Sequence, residues 1–375
     1  MKLRLFKRWL LVGLIAVYVV VSGQALAASQ RNYWPVVKVM TQNLYLGADL
    51  DIILDEFDPD EPEASLLLFL QAVQSTNFSE RAEALAQEIQ RQKPDVIGLQ
   101  EASLFELFLV PGAPPIPIAD YKQILLDALQ ARNLNYVAAV TSQNAMVTSP
   151  VPLDVDGDNV PDGYVRVTDQ DAILVRRDVR ISDVETREFS TLRLLPPIPG
   201  FPIWLKRGYV ALDISVRGKT YRFVNTHLET KGGNPLVQEY QANELISALD
   251  DEQLAVILLG DFNSGPSDGD NSPYAQLSEA GYIDAWSERL GPRRNSDDPG
   301  FTCCQDKSLL NPVSELDKRV DLIWVSPSLL EYPGKVFGRA IISKTVVIGD
   351  EPGDRTPTGL WPSDHAGVVS KLHVR

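Results

Sequence analysis

The segment 255–264 (AVILLGDFNS) sets the terms for the rest of the chain. Val256 to Leu259 are four consecutive apolar, largely branched residues, and they read as a strand buried on both faces. The run stops at Gly260 and presents Asp261 and Asn263 just past the strand end. A carboxylate in that position can take a proton from water, and a carboxamide can donate to an anionic oxygen. Asp-Phe-Asn also makes an ordinary Asx turn, so the segment alone leaves both readings open.

Taken in order, the chain mixes strands and helices with no internal repeat and no composition break over 30–375, which predicts a single α/β domain. Val36 to Leu44 alternates as a strand, and 49–63 reads as an acidic, proline-containing loop. Ser65 to Val73 reads as a helix. Asn77 and Glu80 form a capping-box pattern before a second one, which Pro94 stops. Asp95 to Gln100 is a short buried strand that delivers Glu101. Tyr121 to Ala131 and Pro235 to Leu249 read as helices. Further strands are expected at Tyr136–Thr141, Ala172–Val175, Trp204–Val216, Tyr221–Leu228, Arg319–Val325, Ile341–Ile348 and His365–Val374.

Lys2, Arg4, Lys7 and Arg8 precede an apolar run, and Ala25-Leu-Ala27 is a small-x-small cleavage site, so residues 1–27 read as an export signal. The expected location is outside the cytoplasm, secreted or periplasmic. Removing the four basic residues of the leader leaves 31 basic against 50 acidic residues, a net charge of −19. A body this acidic disfavours a large basic tract for tight nucleic-acid binding, yet it allows a local basic rim or a bound divalent cation.

Polar residues stand at strand ends where buried strands do not need them: Asn43; Gln100 and Glu101; Asn225, Thr226 and His227; Asp261 and Asn263; Ser363, Asp364 and His365. Asp321 lies inside RVDLIWV (319–325), on the same face as Ile323 and Val325, and its carboxylate needs a buried partner. Histidine is the obvious one, and of three in the chain only His227 and His365 lie in these clusters.

The blocks TQNL (41–44), DVIGLQE (95–101), VNTHLE (224–229), LLGDFNS (258–264), RVDLIWV (319–325) and PSDHAGVV (362–369) resemble, in order and spacing, the endonuclease/exonuclease/phosphatase superfamily. That group includes pancreatic-type deoxyribonucleases, abasic-site endonucleases, bacterial sphingomyelinases and inositol-polyphosphate 5-phosphatases. The resemblance runs from about Val36 to the C-terminus. It implies a four-layer α/β/β/α sandwich with two packed mixed β-sheets, and attack of water on a phosphate ester with magnesium or manganese. It also implies that Glu101 is the principal metal ligand, with Asn43 and Asp364 in the same shell. His227 and Asn263 would hold the scissile phosphate, and Asp261 would orient or deprotonate the water. His365 would serve as acid–base group or phosphate contact, fixed in tautomer by Asp321. Some nuclease members carry a second acidic ligand two residues after the first Asn, where this chain has Tyr45.

The implied function is a secreted phosphodiesterase or endonuclease acting as a monomer without an obligate protein partner. A phospholipid phosphodiesterase is the alternative, as is a non-catalytic binding module on the same fold. The substrate partner is accordingly a nucleic acid or a phospholipid headgroup. A lipid enzyme would want an exposed apolar hairpin, for which 104–118 and 194–204 are candidates, although both also read as loops packed on the domain.

Two further features stand outside the six blocks. Asp154, Asp156, Asp158 and Asp162 match the first ligand positions of a calcium loop. Val165 stands where the bidentate Glu would be, so at most a solitary structural Ca2+ is expected. Cys303 and Cys304 are adjacent, which is not zinc-ligand spacing. In an exported protein a vicinal disulfide is the expected state.

Overall fold

The computed structural model describes residues 36–48, 62–110, 112–149, 151–154, 160–194, 204–216, 218–232, 234–289, 298–329 and 342–373. The leader 1–27, most of the acidic 49–63 stretch and the centre of the 154–162 loop lie outside these residues.

Two six-stranded sheets form the middle of the fold. The first runs in the order β17 (Ile342–Ile348), β18 (Gly367–His373), β1 (Val36–Asn43), β2 (Val96–Gln100), β8 (Ala172–Arg176), β5 (Tyr136–Thr141). The second runs β15 (Ile283–Asp284), β16 (Asp321–Val325), β14 (Val256–Asp261), β13 (Lys219–His227), β12 (Gly208–Val216), β9 (Arg180–Glu188). Each is mixed: β1 and β2 are parallel, as are β13 and β14, and their other neighbours are antiparallel. The fully apolar runs in β2 and β14 follow from this stacking, because each strand is covered by a helix layer on one face and by the opposite sheet on the other.

The helix layers are built from amphipathic segments. Phe78, Ala82, Leu85 and Ile89 of α2 (Phe78–Gln92), with Leu125 and Leu129 of α3 (Tyr121–Ala131), bury against Met40, Ile97 and Leu99 of the first sheet. α1 (Pro62–Ser75) adds Leu66 and Phe69 to the same core. On the far side, Ala242 and Leu245 of α4 (Pro235–Leu249) and Leu277 of α5 (Pro273–Glu279) cover Val224, Leu258 and Trp324. The result is the expected α/β/β/α order.

Between the sheets the approach is close. A Cβ on Gly98 would lie 2.3 Å from Leu259 Cδ1 and 2.5 Å from Asn225 Oδ1, so only glycine fits there. Gln100 Nε2 donates to Asn225 Oδ1 at 2.5 Å, and Asn225 Nδ2 donates to the Leu99 carbonyl at 2.9 Å. Gln100 and Asn225, two of the strand-end polar residues, therefore tie the sheets together.

A third sheet of four antiparallel strands runs β4 (Ile116–Asp120), β3 (Leu104–Phe108), β7 (Tyr164–Asp169), β6 (Ala145–Thr148). No strand is expected from the sequence over this sheet or over β9. β9 is exposed along nearly its whole length, so it carries no period-two apolar pattern. The 104–118 stretch is a β3–β4 hairpin. Phe105 is buried, but Leu109, Val110, Ile116 and Ile118 are exposed, which corrects the expectation of a loop packed on the domain. A short ribbon of β10 (Arg193–Leu194) and β11 (Trp204–Leu205) flanks the other proline-rich stretch, 195–203, which lies outside the described residues.

Candidate active site

Strand register assembles the site. In the second sheet His227 pairs with Asp261, and Asp261 pairs with Asp321, so three neighbouring strands bring one functional group each to the same edge. Gly260 makes the close pairing possible. It has φ +147°, and a Cβ there would sit 1.9 Å from the Thr226 carbonyl oxygen. In the first sheet β1 and β2 end together, placing Asn43 beside Gln100 and Glu101 just beyond. Glu101 and Asn263 both adopt the left-handed region, at φ 52° and 48°, a strained backbone of the kind found at functional sites.

The polar contacts form one connected chain. Asn43 Nδ2 lies 3.1 Å from both Glu101 Oε1 and Asp261 Oδ2, and its Oδ1 accepts from the Tyr45 amide at 2.9 Å. The Leu46 amide donates to Glu101 Oε2 at 2.7 Å. Asp261 Oδ1 accepts from the Asn263 amide at 2.8 Å, while Oδ2 lies 3.5 Å from His227 Nε2 and 3.9 Å from His365 Nδ1. His365 Nδ1 meets Asp321 Oδ2 at 2.8 Å, the buried partner that Asp321 required. Ser363 Oγ donates to the Asn43 carbonyl at 2.8 Å, which pins the Asp364–His365 turn to the end of β1.

Burial and mutual repulsion set the charge states. Burial, then Asp364 and Asp169, push the Glu101 carboxyl up to about 7. Burial, then Asp321, push Asp261 up to about 6. Burial also raises Asp364 against the opposing pull of His365 and Arg81. His227 is held well below the ordinary histidine value by burial, Arg207 and His365. For His365, burial acts downward, but Asp321, Asp364 and Asp261 carry it well above the ordinary value. The surroundings thus favour the neutral form of His227 and the charged form of His365.

The tautomer of His227 follows from its neighbour. Arg207 Nη1 lies 2.9 Å from Nδ1 and can only donate, so Nδ1 accepts and the ring proton sits on Nε2. That N–H lies 3.3 Å from Nδ2 of Asn263, another donor, whose amide also reaches the Leu228 carbonyl at 3.0 Å. Two N–H donors thus stand side by side at this edge, with the Leu228 carbonyl and Asp261 Oδ2 as the acceptors in reach.

Several residues that complete the site were not picked out in the sequence. Arg207 Nη1 also lies 3.4 Å from Asp169 Oδ2, and Asp171 Oδ1 lies 4.0 Å from His227 Nδ1. Glu229 is buried and pairs with Arg193 at 3.1 Å. Arg81, fully buried on α2, donates to the carbonyls of Leu44, Tyr45, Thr76 and Pro362, bracing both loops that carry Asn43 and Asp364. Tyr45, at the position where some nucleases carry an acid, packs instead with Leu309, Leu360 and Trp361.

The residues fit a hard divalent cation. Glu101, Asp364, Asp169 and the buried Asp261 supply oxygen donors to one edge, and Asp321 Oδ1 is buried without a hydrogen-bond partner among the described residues. Cys303 and Cys304 are paired with each other, and Cys304 Sγ lies 3.9 Å from His365 Nε2. Of the 154–162 acidic loop, Asp154 and Asp162 flank a bridge between Leu153 and Gly163, while Asp156 and Asp158 lie outside the described residues.

A cavity of about 750 Å³ is lined at its polar end by Glu101, His227, Asp261, Asn263, Asp364 and His365.

A model of the Endonuclease/Exonuclease/phosphatase family matches residues 40–365. Among solved structures, an endonuclease/exonuclease/phosphatase family protein from Bacteroides thetaiotaomicron superposes with a TM-score of 0.52 at 19% identity, covering 91% of this chain and 98% of that one. One from Leptotrichia buccalis C-1013-b gives 0.52 at 17% identity, covering 90% and 99%. The human Nocturnin catalytic domain with bound sulfate anion gives 0.50 at 16% identity, covering 91% and 96%. These likenesses concern the fold. No curated protein matches the chain in sequence.

Proposed function

This chain belongs to the endonuclease/exonuclease/phosphatase family, and from that premise we propose that it hydrolyses a phosphodiester by attack of water, with Mg2+ or Mn2+ bound at Glu101 and Asp364 beside Asn43. The observation that carries the reading is the unbroken run of contacts His227–Asp261–His365–Asp321, none longer than 3.9 Å, of which His227, Asp261 and His365 face one cavity with Glu101.

Asp261, its Oδ1 fixed by the Asn263 amide, is the group that orients the water and receives its proton through Oδ2. The paired N–H donors of His227 and Asn263 receive a non-bridging phosphate oxygen and stabilise the charge that builds on it. His365 carries a proton on each ring nitrogen. Nδ1–H is spent on Asp321, so Nε2–H is left to contact the phosphate or to protonate the leaving oxygen. A bound divalent cation would supply positive charge against the phosphate oxygens. Export of the mature chain, through the leader at 1–27, and action as a monomer belong to the same reading.

The test is hydrolysis of bis-p-nitrophenyl phosphate by the purified mature protein with magnesium or manganese, and its loss in chelator. Asp261→Ala and His365→Ala should each lower turnover about a hundredfold or more while the circular dichroism spectrum is kept. Wild-type rates in both variants would remove the assignment.

A further inference from the structure

We propose that the substrate is a lipid phosphodiester, its aliphatic chain lying along β7 and its source a membrane surface. This rests on the phosphodiesterase reading above and names the substrate class for the same site.

The cavity has two unlike ends. β7 runs from one to the other: Asp169 stands with Arg207 at the polar end, and Val167 and Val165, at alternate positions, line the wall beyond it. Val147 of the paired strand β6 lies level with Val167, and Leu46, Leu66 and Phe69 line the same cavity. From Asp169 to Val165 the strand rises about 13 Å, a length that matches an extended chain of roughly ten carbons. An apolar wall of this size contiguous with a phosphate site does nothing for a sugar-phosphate backbone, but it desolvates an alkyl chain at every carbon.

Charge points the same way. Of the arginines that line the cavity, Arg207 is paired with Asp169 and Arg193 with Glu229, and the whole chain carries a net charge of −15. Lys307 also lines the cavity, but a single lysine makes no basic track for a polyanion extending beyond the scissile phosphate.

A second, independent observation lies at the far end of β7. Leu107 of β3 pairs with Val165, and the chain then turns out into the hairpin tip. There Leu109, Val110, Ile116 and Ile118 are 59%, 60%, 47% and 48% exposed, an apolar cluster that no core needs. The same sheet therefore carries the Asp169 carboxylate at one end, an apolar wall along its length, and an exposed apolar tip at the other. That order suits a molecule drawn from a bilayer, with the tip seated in the interface and the headgroup phosphate passed inward.

The experiment uses the full mature protein in magnesium and a series of monoalkyl phosphates (methyl, butyl, octyl) below their micelle concentrations. Calorimetry should show octyl phosphate binding at least about tenfold more tightly than methyl phosphate, given the burial of each added methylene. Val167→Asp should flatten the series; if that variant fails to fold, the wild-type series still decides. Wild-type protein should sediment with phosphatidylcholine vesicles, and the double variant Leu109→Asp, Val110→Asp should sediment less. Equal affinity for methyl and octyl phosphate overturns the inference, as does failure of the wild type to bind vesicles. If bis-p-nitrophenyl phosphate is hydrolysed while the alkyl series is flat, the lipid inference falls and the phosphodiesterase reading stands. A steep series with no hydrolysis of any phosphodiester supports the alkyl-phosphate compartment and removes the reaction instead.

Discussion

At His365 two opposed effects meet on one ring. Burial alone would strip its proton, and the carboxylates of Asp321, Asp364 and Asp261 hold it. Asp321 is the one in hydrogen-bond contact, so Asp321→Asn should release the ring toward the neutral form. If catalysis uses the protonated imidazole, the basic limb of the pH–rate profile moves to lower pH in that variant. Turnover near neutrality should drop about tenfold to a hundredfold. An unchanged basic limb would show that His365 does not act as a cation. The neighbouring sulfurs give a second check at the same atom. Cys303 and Cys304 are paired, so alkylation of the unreduced, natively exported protein should modify neither. Reduction followed by alkylation places bulk beside Nε2, 3.9 Å from Cys304 Sγ, and should lower activity about tenfold or more. Two thiols alkylated without reduction would refute the bridge. The need of Asp321 for a buried partner was legible in the sequence, because alternation fixes the face on which it stands. Asp171 and Arg207 were not, since they precede their strands, and Asp169 closes β7, a strand without a sequence signal of its own. β8 runs antiparallel to β2, so its start lies at the edge where β2 ends, and a search restricted to strand ends passes over it.

Elements with a strong local signal stand where the sequence placed them. α3 and α4 match residue for residue, with Asp120 and Asn234 capping their first turns. The four-stranded sheet and β9 had no such signal: β9 faces solvent, and β4 begins in a proline-rich stretch. Arg81 shows the same limit within a helix. It stands among Phe78, Ala82 and Leu85, where a charge would be read as solvated, yet its guanidinium is fully buried against four carbonyl groups. Apart from Thr76, its partners come from 362 and 44–45, remote in sequence, so little that is local betrays them. Arg81→Met keeps the apolar packing and removes every donor. It should cost at least about 2 kcal/mol in urea denaturation through the stranded carbonyls. It should also lower turnover by loosening the loops that hold Asn43 and Asp364. Wild-type stability in this variant would mean that those carbonyls find other donors.

At the scale of the whole molecule, five carboxyls with raised values gather at the edge that carries the site. Burial and mutual repulsion raise Glu101, Asp169, Asp171, Asp261 and Asp364 together, Glu101 to about 7 and Asp261 to about 6. A carboxyl whose folded value lies above its unfolded one binds more protons in the folded state throughout the interval between them. Its favourable contribution is present below the unfolded value and is lost as pH rises through the folded one. In chelator the protein should therefore melt at a lower temperature near about pH 8 than near about pH 5.5. Growing net negative charge acts in the same direction, so the slope by itself does not locate the cause. Divalent cation separates the two. Magnesium or manganese held by Glu101 and Asp364 should raise the melting temperature strongly at the higher pH, where the carboxylates are ionised. The rise should be small at the lower pH, where protons compete for them. Glu101→Gln removes one raised carboxyl and one ligand, so it should flatten the chelator slope and weaken the cation's effect in the same protein. If magnesium shifts wild type and Glu101→Gln equally at both pH values, the cation binds elsewhere and the carboxylates of this edge are not its site.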